Sequence, residues 1–198
     1  MRMEADWEVE IGSDAPIIDA AWPGFIPLRQ VPERADTLSE VASLPGLSNA
    51  LQQLNSRESP VWTVKCDVWP LPDSGEIDPY EMECDPGAAD HALACYIDIL
   101  SRDSRQWADP AAAVAFCNQL CAQLHLIPLS CCRADLIVRA AIQNSEALSL
   151  EVLDSGVLGH GITVYLTACG RTAQSASQTL ETTLRTFTNA VCPASAIE

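Results

Sequence analysis

Apolar and polar residues alternate one by one from Val61 to Trp69, with Trp62, Val64, Cys66 and Val68 on one side and Thr63, Lys65 and Asp67 on the other. A period of two marks a half-buried strand, because successive side chains point to opposite faces. The alternation returns in residues 92–101, where Leu93, Cys95, Ile97 and Ile99 lie opposite Tyr96 and Asp98. It returns again in 131–141, with Cys132, Ala134, Leu136, Val138 and Ala140 opposite Arg133, Asp135 and Arg139. A fourth strand is expected over 162–168, where Ile162, Val164, Leu166 and Ala168 oppose Thr163, Tyr165 and Thr167. Between the second and third strands the period lengthens. Asp109-Pro110 starts a helix, since Asp accepts bonds from unpaired amides and Pro fits the first turn. Its apolar stripe is Ala113, Val114, Cys117, Leu120, Cys121 and Leu124, and Pro128 ends it. A last helix over about 172–191 carries Ala173, Ala176, Leu180, Leu184, Phe187 and Val191 at spacings of three and four. Residues 143–160 hold no single period: a turn is expected at 143–146, then an apolar stretch at 148–153 and glycines at 156, 159 and 161.

Upstream, prolines at 16, 23 and 27 interrupt residues 1–31, so Trp7, Trp22 and Phe25 are expected to pin an extended segment into surface grooves. Residues 33–55 read as two helical pieces, one with Leu38, Val41 and Ala42 and one with Leu47, Ala50, Leu51 and Leu54, divided at Pro45-Gly46. The chain then divides into residues 1–58, an extended segment and short helices packing on the core, and a ββαββα domain over 59–198. Tyr96-x5-Arg102 and Tyr165-x5-Arg171 at equivalent strand ends suggest two ββα units in tandem. The fold class expected is α+β: a four-stranded, mainly antiparallel sheet with the helices on one face.

Charge and composition narrow the function. Eleven Lys and Arg stand against 27 Asp and Glu, a net charge of −16, which argues against a nucleic-acid binder working through bulk charge. With 48% hydrophobic and 19% charged residues, the chain is expected to fold around a core. Seven of the acids crowd between residues 73 and 90, in a loop expected to join the first two strands. No apolar run approaches the roughly 18 residues of a membrane span, and the N-terminus, with its four acids, does not read as a secretory signal. Nine cysteines, an odd number mostly set in apolar runs, are expected to be reduced thiols of a cytoplasmic protein.

Candidate chemistry is sparse. Cys117-x3-Cys121-x3-His125 spans about 12 Å of helical rise between its ends, too far for one ion, and both cysteines lie on the apolar stripe. Cys84-x6-His91-x3-Cys95 matches no zinc spacing. Cys131-Cys132 points its side chains to opposite faces of a strand, which disfavours a redox couple. The acidic loop lacks the regular spacing of a calcium site. No metal and no cofactor is expected.

What remains is the polar face of the sheet. Lys65, Asp67, Tyr96, Asp98, Arg133, Asp135, Arg139 and Tyr165 would line it, with charges of both signs and two aromatics that suit contact better than bare solvent. The expected function is a binding or oligomerisation module using this face, with a second copy of the chain as the first expected partner and a small-molecule ligand as another. Neither nucleic acid nor membrane is expected. A different reading is a small hydrolase or isomerase in which His160, in a glycine-flanked stretch, serves as base beside Asp67, Asp98 or Asp135. A third is a partner protein that uses its acidity to meet a basic surface.

Overall fold

The computed structural model describes residues 6–12, 15–20, 24–71, 77–103, 105–145 and 157–193. Trp22, the acids Asp73 and Glu76, the apolar stretch 148–153, Asp154, Ser155 and Gly156 lie outside the described residues, as does the side chain of Trp7. Among the described residues six strands, β1 (Asp6–Ile11), β2 (Ile17–Ala20), β3 (Val61–Leu71), β4 (His91–Ser101), β5 (Cys132–Ser145) and β6 (Val157–Gly170), form one sheet. Among the described residues three α-helices accompany it: α1 (Gly46–Leu54), α2 (Pro110–Leu124) and α3 (Ala173–Val191).

The sheet order is β1-β5-β6-β4-β3, with β2 following β1 along β5. Pairings among β3, β4, β6 and β5 are antiparallel, whereas β1 and β2 both run parallel to β5. The expectation of a four-stranded, mainly antiparallel sheet built from tandem ββα units is therefore corrected to a six-stranded mixed sheet. Two physical reasons account for the difference. Each N-terminal strand is only four to six residues long, too short to establish a period, and each draws its hydrogen bonds from β5, over 120 residues away in sequence. The two halves are also unlike each other. β5 and β6 have 14 residues against 11 in β3 and β4, and β5 alone carries the extra strands. The matched arginines do different work: Arg102 donates to the carbonyls of Asn55, Ser56 and Ser59 behind α1, and Arg171 is exposed. Over 143–145 the expected turn gives way to the continuation of β5 to Ser145, and Glu146 lies outside the described residues.

One face of the sheet carries the main core. Cys95, Ile97 and Ile99 of β4, Ala134, Leu136 and Val138 of β5, and Ile162, Val164, Leu166 and Ala168 of β6 pack under Leu47, Leu51 and Leu54 of α1, Cys117, Leu120 and Leu124 of α2, and Leu180, Leu184 and Phe187 of α3. The helix stripes reach this face as the spacing requires. α2 begins where Asp109 accepts from the Ala111 N–H at 2.9 Å, and α3 where Thr172 and Ser175 form a reciprocal capping box. α1 has no side-chain cap of its own; Glu181 of α3 accepts from the Gly46 N–H instead. The piece expected to be helical before Pro45 forms two 3₁₀ turns, Pro32–Thr37 and Ser39–Ala42.

Candidate functional site: the open face of the sheet

The second face bears no helix among the described residues, and its side chains stand in rows across the strands. Pairing register sets the rows: Lys65, Asp98, Thr163 and Ile137; then Asp67, Tyr96, Tyr165 and Asp135; then Trp69, Ala94, Thr167 and Arg133. Glu8 and Glu10 of β1 extend the rows beside Asp135 and Ile137. The structure thus brings the expected site residues Lys65, Asp67, Tyr96, Asp98, Arg133, Asp135, Arg139 and Tyr165 onto one surface.

A β-bulge between Thr63 and Lys65 changes what β3 contributes. A bulge sets two residues against one, so the alternation skips a step. Trp62 before it and Val64 within it join the open face, packing with Ile17, Leu100 and Ala141. After it, Lys65, Asp67 and Trp69 occupy that face, while Cys66 and Val68 turn to the main core. Thr63, expected on the polar face, points the other way, where its Oγ1 accepts from the Asn55 side chain at 2.7 Å.

Both ends of the open face are closed by apolar clusters. At one end Ile17 of β2 covers Leu100 and Gly161, so closely that a Cβ on Gly161 would meet Leu100 at 2.6 Å and Ile17 at 2.8 Å. Arg29 lies over the Trp62 ring there, 4.1 Å from its centroid. At the other end the loop after β3 folds back, and Ile77, Met82, Cys84 and Ala89 pack on Ala92 and Cys169. Between them lies a polar floor. Trp69, Tyr96 and Tyr165 form a ladder with centroids 6.2 and 5.9 Å apart, tilted as aromatic pairs prefer. The Arg139 guanidinium is 6.0 Å from the Tyr165 ring.

Charge on this floor leans acidic. Arg133 is held by three carboxylates at once: Glu8 at 2.9 Å, Glu81 at 2.9 Å and Asp135 at 3.0 Å. Asp98 is only 7% exposed and accepts from the Thr163 hydroxyl at 2.6 Å. Burial raises its carboxyl above the ordinary value, against the pull of Thr163, Lys65 and Arg139. The Tyr96 hydroxyl is pushed up to about 12, first by burial and then by Asp98 and Asp67. A cavity of about 440 Å³ continues from Tyr96 around the outer edge of β3, lined by Phe25, Leu38, Glu40, Lys65 and Cys66.

His160 is not part of this surface. It pairs with Ala140 in register, on the same side of β6 as Ile162, and its ring nitrogen and backbone N–H both approach the Trp107 carbonyl. Asp98 and Asp135 face the opposite way. The acid-base grouping expected from the sequence is therefore not assembled around His160.

The cysteines also divide differently from expectation. Cys84 and Cys131 form a disulfide, which corrects the reading of all nine as free thiols. Cys132 points away from Cys131 into the main core. Cys95 and Cys117, each pushed up to about 12 by burial, behave as small apolar groups. Sequence reasoning missed the bulge, the disulfide and a second cavity, of about 670 Å³, between the C-terminal ends of α1, α2 and α3 and lined by Gln53, Phe116, Gln123 and Cys192. No short-range signal marks any of the three.

No helix among the described residues is long and apolar enough to cross a membrane. No family model, curated protein or solved structure matches the chain, so its function is read from the geometry of this surface.

Proposed function

We propose that this protein is a binding module whose open sheet face receives a positively charged segment of a partner protein. The observation that carries the reading is the Trp69–Tyr96–Tyr165 ladder set in a floor where Asp67, Asp98, Asp135, Glu8, Glu10 and Glu81 outnumber Lys65, Arg133 and Arg139. Aromatic rings with polar tips give contact area at low entropic cost, and their faces attract cations. The carboxylates supply the complementary field, and a chain of net charge −16 steers a basic partner toward it. The cavity beyond Tyr96 offers a place for one anchoring side chain.

A second copy of the chain fits this face less well, because a self-complementary contact would set acidic rims against each other. An enzymatic role beside His160 is less favoured, because the expected acids Asp98 and Asp135 stand on the other side of the sheet. The test is to titrate isotope-labelled protein with a probe peptide of alternating Lys and Leu and to follow amide shifts, with light scattering on the same sample. The expected result is a monomer whose shifts concentrate on β3, β4 and β6 around Tyr96 and Tyr165 and weaken from low to physiological salt. Shifts scattered over the acidic surface, or a stable dimer that hides the face, would overturn the proposal.

A further inference from the structure

The apolar cluster at the far end of the open face holds a third sulfur. Cys84, Cys131 and Cys169 place their Sγ atoms within 4.8 Å of one another. They come from three separate elements: the loop after β3, the residue before β5, and β6. Cys84 and Cys169 are buried, at 6% and 0% exposure, whereas Cys131 is only partly covered. Cys169 is fastened to Cys131 twice: its N–H donates to the Cys131 carbonyl at 2.9 Å and its thiol reaches the same oxygen at 3.6 Å. Glu83 and Cys131 adopt left-handed backbone angles, φ 47° and 60°, which L-residues rarely take.

A disulfide that merely staples the loop to the sheet needs two of these sulfurs. The third thiol beside it has no part in that bond, and three thiols on one point are the donor set that thiophilic cations select. At about 2.3 Å per zinc–sulfur bond, tetrahedral zinc spaces its thiolates about 3.8 Å apart. The sulfurs here need only small side-chain rotations to reach that spacing once the disulfide opens. The partly exposed side at Cys131 leaves room for water as a fourth ligand, and three thiolates with a dication leave one net negative charge in the cluster.

We propose that Cys84, Cys131 and Cys169 form a redox-gated site for a thiophilic dication of the zinc class. A dithiol reductant opens the site: it gives two electrons and two protons to the Cys84–Cys131 bond, becomes a disulfide itself, and leaves three Cys thiols. The cation then displaces three protons to solvent and binds three thiolates. A disulfide-type oxidant reverses the sequence: the Cys84 and Cys131 thiolates lose one electron each and join, the oxidant takes those two electrons and two protons from solvent to become two thiols, the cation leaves, and Cys169 takes a proton from solvent.

The experiment uses the full chain, reduced with dithiothreitol, desalted without oxygen and titrated with Co²⁺ and then Zn²⁺. The expected result is a thiolate-to-cobalt charge-transfer band that saturates at about one equivalent, disappears on adding Zn²⁺, and is absent from the unreduced protein. In parallel, Zn²⁺ should shield the partly exposed Cys131 from alkylation, as mapped by mass spectrometry, and leave Cys66 and Cys192 as reactive as before. Cys169→Ser should weaken Zn²⁺ binding ~10-fold or more. If that variant fails to fold, the alkylation map of the unaltered chain still decides. No charge-transfer band after reduction, or shielding that falls on other cysteines such as Cys117 and Cys121, would overturn the proposal.

Discussion

The two faces of one sheet are built from the same strands and put to opposite uses. On the helical face Ile97, Leu136 and Val164 are sealed beneath α1, α2 and α3. One residue along each strand, Tyr96 or Asp98, Asp135 and Tyr165 stand on a floor with no helix above it among the described residues. The first set is tied by non-directional burial, roughly 25 cal/mol per Å² of apolar surface. The second set is tied by ring tilt, ion pairs and hydrogen bonds, each a smaller contribution to stability but more selective in what it admits. The difference teaches that stability and recognition are separable here, and substitutions on the two faces should separate them.

The largest effect is expected on the helical face. Leu136→Ala removes a fully buried side chain from the main core, and urea unfolding should show a loss of about 2–5 kcal/mol while binding of the basic probe peptide by the folded fraction is unchanged. Gly170→Ala comes next: a Cβ there meets the backbone nitrogen of Ala176 at 2.6 Å, where α3 begins. Backbone cannot swing aside as a side chain can, so the cost should be about 1–3 kcal/mol by thermal unfolding.

Asp98 is a buried carboxyl on the open face. Its carboxyl is raised from 3.8 by burial. A raised acid holds its proton more tightly folded than unfolded, so its contribution to stability is full below 3.8 and is lost as pH climbs through the raised value. Asp98→Asn keeps an acceptor for Thr163 and removes the charge. It should raise stability at about pH 7, change it little at about pH 3, and flatten the slope between them. The smallest effect should come from Arg133→Gln. Its three ion pairs are partly to largely exposed, and such pairs contribute under about 1 kcal/mol. No change in stability slope on adding salt would show that this network is idle.

The sequence carried the helical face well, for a physical reason. Cys95, Ile97 and Ile99 in β4 and Leu180, Leu184 and Phe187 in α3 are buried, and Leu93 partly so, by local periodicity alone, so counting positions finds them. The polar residues opposite were legible for the same reason, since whatever faces away from a one-sided core lies on the other face. What stayed hidden was tertiary. The bulge at Val64 breaks β3's alternation with no Gly or Pro to announce it, and so Thr63 and Trp62 exchanged faces. β1 and β2 pair with β5 from the far end of the chain. Cys84 finds Cys131 across 47 residues. His160 lies in a glycine-rich stretch that suggested freedom, yet the strand continues through it and fixes its side.

The claim that the open face is the binding surface meets its most direct test in the double variant Tyr96→Ser, Tyr165→Ser, which breaks the aromatic ladder and leaves every carboxylate in place. The measurement is its dissociation constant for the Lys-Leu probe peptide at physiological salt. The account predicts a loss of affinity of ~10-fold or more, about 1.4 kcal/mol or above, in a protein that still folds. Affinity equal to that of the unaltered chain would contradict it.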